Sequence, residues 1–329
     1  MTMDVATTID PEIAVALAAS PIGEMDFGTF TLETIPSIRE AMANMPVVEL
    51  PPTTTASREV VVPGADGPNV TVRVYSPPTE ATDRPCIYWI HGGGYMFGSG
   101  LMIDGRINRW VESFDCVAVS IEYRLAPEDP YPAPLDDCYA GLLWTAQHAD
   151  ELGIDPARIA IAGASAGGGL AAGLAILARD RGEVTPAFQL LIYPMIDDSN
   201  TSASSHIEGA PVWSRSANDL GWRAYLGERF GTDDVPAYAA PARVDDVAGL
   251  PPAWIGVGAL DVFRDEDITY ASRLLAAGIP TELHVYPGAT HGFEMMCPNA
   301  SIAKACQRDI TEALRRALRP QSAVAASTS

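Results

Sequence analysis

The chain has 329 residues, of which 47% are hydrophobic and 19% are charged, a composition typical of a folded globular protein. Its formal net charge of −21 at pH 7 excludes nucleic acids and anionic membranes as expected partners, because like charges repel. No apolar segment approaches the roughly 20 residues that a transmembrane helix needs. The N-terminal segment is acidic where a signal peptide is basic, so we expect a cytoplasmic protein.

The cysteines predict neither disulfides nor a zinc site. The sequence contains five of them, an odd number, at irregular spacing and without a CxxC pair. Because several lie in apolar surroundings, we expect free, buried thiols. They are Cys86, Cys116, Cys138, Cys297 and Cys306.

Short segments rich in β-branched residues alternate with longer helical segments along most of the chain. The first two predicted strands form a hairpin around the turn sequence from Gly64 to Gly67. The later strands are apolar along their length, as strands buried on both faces are. The predicted strands are Arg58–Pro63, Asn69–Ser76, Pro85–Ile90, Cys116–Ile121, Arg158–Ala162, Ala187–Tyr193, Ala253–Val257 and Glu282–Tyr286.

Helical patterns follow several of these strands. Asp265 is placed to cap the third helix, and Gly278 is placed just beyond its end. Strands that alternate with helices predict an α/β fold with a mostly parallel sheet and helices on both faces. The predicted helices are Leu135–Glu151, Ala166–Arg181, Glu266–Ala277 and Ala300–Leu318.

Two segments depart from this alternation. Residues 1–50 precede the first strand and predict N-terminal cap helices, and residues 198–240 form an insertion between two late strands. The insertion is dense in aromatic residues, which suits a cap over a site, although packing of the insertion itself explains each one equally well. The catalytic domain then comprises residues 51–197 and 241–320, and residues 321–329 form a flexible tail.

A G-x-S-x-G sequence, from Gly163 to Gly167, lies between a predicted strand and a predicted helix. In that context the serine occupies a strained turn that exposes its hydroxyl, and the helix N-terminus points its N–H groups at the reacting centre. Ser165 is therefore the candidate nucleophile, and the N–H of Ala166 is a candidate oxyanion donor.

The sequence His91-Gly-Gly-Gly94 directly follows the predicted strand that ends at Ile90. Three glycines let the backbone approach a ligand closely and direct its N–H groups inward. Alone, the motif would be an ordinary glycine turn. Upstream of a G-x-S-x-G turn, it predicts an oxyanion hole.

Three histidines follow Ser165 in the chain. His206 lies in the insertion and His284 lies inside a strand, whereas His291 lies in the loop after the last strand. His291 is thus the candidate general base, and Asp261, in the loop after the preceding strand, is the candidate acid that orients it. The carboxylates at 265–267 follow within one turn, where helix capping and dipole complementation explain them.

The segments HGGGYMFGS, YRLAPE, GASAGG, ALDVFRDED and HGF together resemble the bacterial hormone-sensitive-lipase-like carboxylesterases, from about residue 50 to 318. The stretch 149–173 resembles in particular an acetylesterase of this family. The resemblance implies an α/β-hydrolase fold with an eight-stranded sheet and a small helical cap, no cofactor or metal, and hydrolysis of short acyl esters. It assigns the oxyanion donors to Gly93, Gly94 and Ala166, with Gly92 shaping the turn.

The chain departs from the family pattern at two positions. Many members have aspartate where Ala164 precedes the serine, and the acid motif usually has proline where Val262 stands. Neither change removes a catalytic group, but both bear on rate and substrate range. Glu128, in YRLAPE, resembles a bracing residue and is not assigned to catalysis.

These features predict a serine carboxylesterase for small-molecule acetyl to hexanoyl esters, and family members often form homodimers. An amidase would use the same triad. A non-catalytic receptor on this fold would lack the catalytic histidine, which this sequence has. A nucleotide-binding protein would need glycine motifs that this sequence lacks. Candidate pocket residues are Phe97, Trp213, Trp222 and Tyr225.

Overall fold

The strands form one mixed sheet in a computed structural model of the chain. Across the described residues the sheet has eight strands in the order β1-β2-β4-β3-β5-β6-β7-β8. The structure describes residues 8–20, 25, 27–43, 52–64 and 67–319. The strands are β1 Ala56–Val62, β2 Val70–Ser76, β3 Arg84–Ile90, β4 Val117–Glu122, β5 Ile154–Ala164, β6 Phe188–Ile192, β7 Ala253–Gly258 and β8 Thr281–Tyr286.

The sheet is mostly parallel, and every predicted strand is present. β1 pairs with β2, and β2 with β4, in antiparallel register, while all the other neighbours are parallel. The carboxyl ends of β3, β5, β7 and β8 therefore meet at one edge, where a parallel α/β sheet carries its ligand site. Residues 65–66 of the predicted hairpin turn lie outside the described residues.

Helices cover both faces of the sheet. One face carries α4, α6 and α8, and the other carries α1, α3 and α10. The helices are α1 Pro11–Ala18, α2 Ile35–Ala43, α3 Asp104–Phe114, α4 Ala133–Gln147, α5 Ala149–Leu152, α6 Ala166–Arg181, α7 Arg215–Leu226, α8 Arg264–Ala276, α9 Phe293–Met296 and α10 Ser301–Ala317. Short 3₁₀ turns are Phe27–Thr29, Gly100–Ile103, Ser204–His206, Gly227–Arg229 and Pro241–Arg243.

Some helix boundaries differ from the predictions. The helix predicted from Leu135 is divided at His148, and α8 begins at Arg264, so Asp265 lies inside its first turn. The prediction that Asp265 is the N-cap was therefore wrong. Gly278 follows the end of α8 with a φ of +78°, as predicted.

Helix α3 was not predicted. Its buried face consists of Ile107, Trp110 and Val111, at the i, i+3, i+4 spacing of an amphipathic helix. Its remaining residues are largely polar, which weakened the hydrophobic periodicity by which a helix is predicted from sequence.

Alternating residues of the buried strands enter separate apolar layers. In β3, Tyr88 and Ile90 pack on one side, while Ile87 and Trp89 pack on the other. The five cysteines are free and buried within these layers, as predicted. Burial raises the pKa of all five thiols above the usual value.

The segments predicted as caps are partly described. Of residues 1–50, α1 packs beside α9 and α10, whereas α2 lies near the loop after β3. The predicted tail at 321–329 lies outside the described residues. Among the residues that are described, none of the helices combines the length and apolar character required to cross a bilayer.

Candidate active site

Ser165 lies at the sharp turn between β5 and α6. Its backbone has a φ of 56° and a ψ of −123°, a conformation that costs a non-glycine residue about 1–3 kcal/mol. Close backbone approach requires glycine nearby, because a Cβ at Gly167 would overlap the carbonyl oxygen of Ile90. The backbone N–H of Ser165 donates to the carbonyl of Ile192, at 2.9 Å. The turn is thus held against both neighbouring strands.

Ser165, His291 and Asp261 form a continuous hydrogen-bonded chain. The Nε2 atom of His291 lies 3.0 Å from the Ser165 Oγ, and its Nδ1 lies 2.8 Å from Asp261 Oδ2. All three side chains are buried, and Asp261 has no exposed surface. Its second carboxylate oxygen accepts from the backbone N–H of Phe263, at 3.0 Å. The structure therefore brings the three predicted residues together in the order of a catalytic triad.

Aromatic rings surround the imidazole of His291. Tyr193 and Phe263 present edge-to-face contacts at centroid distances of 4.7 and 5.1 Å, and Trp213 lies 6.2 Å away. Neither contact was predicted, because Tyr193, Phe263 and His291 follow three different strands and are far apart in the sequence.

The predicted oxyanion residues border Ser165. A Cβ at Gly92 would lie 3.3 Å from the Ser165 Cβ, so this glycine passes directly beside the candidate nucleophile. Gly93 and Gly94 adopt φ values of 125° and 61°, which favour glycine. Ala166 is the first residue of α6, where helix N–H groups lack partners within the helix.

The turn after these glycines is closed by backbone bonds. The carbonyl of Gly93 accepts from Met96 and Phe97, at 3.0 and 2.8 Å. Arg39, on α2, donates from Nε to the carbonyl of Met96 at 2.6 Å and from Nη2 to the carbonyl of Ala126. The N-terminal segment is therefore anchored directly on the glycine loop.

His91 supports this loop as a neutral imidazole. Its ring is buried and stacks on Tyr123 at 4.1 Å, and its Nδ1 lies 2.9 Å from the carbonyl oxygen of Gly92. Burial lowers the pKa of His91 to about 4. A neutral ring can donate from Nδ1 to that carbonyl without bringing a charge beside the glycines.

The carboxylates after Asp261 have more varied roles than predicted. Asp265 accepts from the backbone N–H of Ser204 at 2.7 Å and pairs with Arg264, rather than capping α8. Glu266 is buried and accepts hydrogen bonds from two backbone N–H groups in the segment after β6. Burial raises its pKa. Asp267 is fully buried, which also raises its pKa. None of the three bonds to His291.

The other two histidines downstream of Ser165 lie elsewhere. His284, on β8, bonds to Glu282 at 2.7 Å, and His206 bonds to Arg215 in the insertion. Within the described ranges, no cluster of three or more histidine, cysteine, aspartate or glutamate side chains is arranged to hold a metal ion.

An aromatic group, here called the aromatic roof, lies beside the glycine loop and His291. It joins Trp213 of the insertion to three phenylalanines, with the centroids of contacting rings 5.4 to 6.3 Å apart along the group. A Cβ at Gly94 would overlap the indole of Trp213. The members of the aromatic roof are Phe27, Phe30, Phe97 and Trp213.

Only two of the four predicted pocket residues belong to this roof. Trp222 and Tyr225 have no exposed surface and pack on Tyr95, with the two tyrosine rings stacked at 3.9 Å. They are packing residues of α7 and do not line an accessible wall. Phe27 and Phe30, the other two members of the roof, were not among the predicted pocket residues.

Comparison with known proteins identifies the family. Residues 87–295 match the alpha/beta hydrolase fold family. Carboxylesterase NlhH of Mycobacterium tuberculosis is 37% identical, covering 94% of this chain and 96% of that protein. Esterase LipI of the same species is 36% identical, covering 89% and 90% respectively. The solved structure of a bacterial heroin esterase superposes with a TM-score of 0.86 at 40% identity, covering 95% of this chain and 99% of that one.

The chain therefore belongs to the alpha/beta hydrolase fold family. Within that family it is a carboxylic ester hydrolase of the hormone-sensitive-lipase-like group, as its sequence motifs predicted.

Proposed function

We propose that this enzyme hydrolyses acetyl to hexanoyl esters through an acyl-enzyme intermediate on Ser165. The observation that carries the proposal is the hydrogen-bonded chain from Ser165 through His291 to the buried Asp261, beside a glycine loop that can supply oxyanion donors. Nucleophile, base and orienting acid lie within the distances that acyl transfer requires.

Asp261 selects the tautomer of the base. A carboxylate only accepts hydrogen bonds, so the proton of the neutral imidazole resides on Nδ1. Nε2 of His291 then accepts the hydrogen bond from the Ser165 hydroxyl. Because Asp261 is excluded from water, its charge also stabilises the imidazolium that forms during the reaction.

In acylation, Ser165 Oγ attacks the ester carbonyl carbon while its proton passes to His291 Nε2. The electron pair of the carbonyl moves to oxygen, and the N–H groups of Gly93, Gly94 and Ala166 stabilise that oxyanion. The tetrahedral intermediate collapses as the C–O bond to the alcohol breaks, and His291 returns its proton to the departing oxygen. Water then repeats both steps on the acyl-serine, which releases the acid and restores Ser165.

The aromatic roof supports the preference for short acyl chains. Trp213 lies against Gly94 and within 6.2 Å of the His291 ring, so it borders the space in which the substrate carbonyl must lie. Its bulk limits the length of chain that fits beside the triad. A relative that is 32% identical, covering 70% of this chain and 73% of that protein, is named ethyl acetate hydrolase of Pseudomonas putida, which agrees with a short acyl group.

We also propose a cytoplasmic location and a homodimer. Five buried free thiols fit a reducing compartment, and the homodimer follows the family resemblance.

The test is the initial rate of p-nitrophenyl butyrate hydrolysis at pH 8 for wild type and Ser165→Ala. We expect wild-type turnover and a variant at background, because the triad members act as a unit. The exposed Ser113 provides a matched control, and Ser113→Ala should retain wild-type activity.

Equal activity of wild type and Ser165→Ala would place the nucleophile elsewhere. An inactive but folded wild type would refute esterase function. Faster cleavage of butyryl p-nitroanilide than of the matched ester would show an amidase instead. A higher rate on emulsified long-chain triglyceride would refute the acyl preference.

A further inference from the structure

We propose that Tyr193, Glu294 and Arg106 form a positioning network that holds the imidazole of His291 in its working orientation. The proposal rests on the proposed role of His291 as general base. None of the three residues contacts Ser165 or Asp261 through a hydrogen bond in the structure, so they act through the histidine.

The network begins at the ring of Tyr193, which follows directly after β6. Its centroid lies 4.7 Å from that of His291, with the two ring planes at 64°. The backbone of Tyr193 has a φ of 37°, an unfavourable conformation for a bulky residue, and its N–H donates to the carbonyl of Gly256 at 2.7 Å. The strand end is thus held in a strained geometry that places the Tyr193 ring against the imidazole.

The hydroxyl of Tyr193 extends the network to a buried ion pair. It donates to Glu294 Oε1 at 3.1 Å, and Arg106 donates to both oxygens of the same carboxylate, at 3.0 and 2.8 Å. The Glu294 side chain is fully buried and that of Arg106 nearly so. Three separate parts of the chain therefore meet behind the histidine: the end of β6, helix α9 and helix α3.

The segment that carries His291 depends on such tertiary contacts. Helix α9 has only four residues, and so short a helix is not stable by itself. Glu294 lies three residues after His291, and its backbone carbonyl also accepts from Gln307 on α10 at 2.8 Å. Arg106 and Gln307 thus hold the loop to the body of the protein from two sides.

The cost of the ion pair indicates that it does more than fill space. Burying a carboxylate and a guanidinium is expensive, and apolar side chains of similar volume often stabilise a protein as well or better. A bidentate arginine, however, fixes the carboxylate in both position and rotation, which apolar packing does not do. That rigidity passes through the Tyr193 hydroxyl to the ring against His291.

The test compares Tyr193→Phe and Glu294→Gln with wild type on p-nitrophenyl butyrate. The concentration of active sites is measured from the p-nitrophenol burst. Unfolded enzyme therefore does not lower the kcat calculated per active site. We expect kcat per titrated site to fall about threefold in Tyr193→Phe and about tenfold in Glu294→Gln, because a small displacement of the base slows proton transfer. KM should stay unchanged, because the network acts on the position of the base and not on substrate binding.

A second comparison separates positioning from general stability. Asp198 and Arg243 form a matched bidentate pair with a buried carboxylate and no contact to the triad. Asp198→Asn should lower the melting temperature without changing kcat per titrated site. The double variant Tyr193→Phe/Glu294→Gln should be no slower than Glu294→Gln alone, because the hydroxyl acts through the carboxylate.

Unchanged kcat per titrated site in both single variants would overturn the network, as would an equal loss in Asp198→Asn or additive losses in the double variant. An inactive wild type would instead refute the proposed function itself.

Discussion

The triad and the aromatic roof are held in place by different kinds of contact. Ser165, Asp261 and His291 follow β5, β7 and β8, which are parallel strands of one sheet, and hydrogen bonds of fixed geometry join them. The roof instead brings together rings from the N-terminal segment, the loop after β3 and the insertion. Its contacts are edge-to-face and tilted ring pairs, which tolerate small shifts.

We expect this difference to separate the chemical step from the choice of substrate. A change of a triad residue alters the reaction for every ester, because proton transfer and oxyanion stabilisation are common to all of them. A change in the roof should alter the space beside the reacting centre and affect some esters more than others. Substitutions in the two regions should therefore differ in kind as well as in size.

Beyond the loss of the nucleophile itself, the largest effect is expected at the orienting acid. Asp261→Asn should lower kcat about ten-thousandfold, because the amide can donate to Nδ1 and stabilise the wrong tautomer of His291. Stopped-flow or steady-state rates on p-nitrophenyl butyrate measure the loss. Asp265→Asn is the matched control, since that carboxylate bonds to Ser204 and Arg264 and should leave kcat within about threefold. Similar losses in the two variants would show that the acid is misassigned.

An intermediate effect is expected at Gly94 of the glycine loop, which lies against Trp213 of the roof. Gly94→Ala should lower kcat/KM about a hundredfold, because the new Cβ overlaps Trp213 and displaces an oxyanion donor. Gly182→Ala is the control: it also has a left-handed φ, of 71°, but a Cβ there meets nothing within 4 Å. Gly182→Ala should reduce stability only. A Gly94→Ala enzyme with wild-type kcat/KM would remove this loop from the oxyanion hole.

The smallest effect is expected within the roof. Trp213→Ala should raise the octanoate-to-butyrate ratio of kcat/KM about fivefold, because removal of the indole lengthens the space beside the triad. A series of p-nitrophenyl esters from acetate to decanoate measures it. Trp222→Phe, a change in a fully buried ring that packs on Tyr95, should leave the ratio unaltered. If the ratio is the same in Trp213→Ala and wild type, the roof does not set acyl length.

The triad region could be predicted from the sequence because each of its parts has a local signal. Ser165 follows a buried strand and opens a helix, and Asp261 and His291 each follow a strand, so parallel topology alone brings them to one edge. Close approach of the backbone requires glycine beside these residues, and those glycines are visible in the sequence.

The roof could not be predicted in this way. Phe27 reaches Trp213 across 186 positions, and no periodicity in either segment reports that contact. Trp222 and Tyr225 belong to the same insertion as Trp213, yet they lie on the buried face of α7, a distinction that depends on the rotation of one helix. The role of Glu294 was equally hidden, because its partner Arg106 lies in the helix that was not predicted.

The five buried thiols offer a practical way to measure local unfolding of this protein. Burial raises their pKa, so little reactive thiolate is present while the fold is closed. The rate at which an alkylating reagent labels each cysteine then measures how often its surroundings open. Cys297 reports on the segment just after His291, and Cys86 reports on the centre of the sheet. The native sequence thus carries its own set of local probes, spaced from the base-bearing loop to the core.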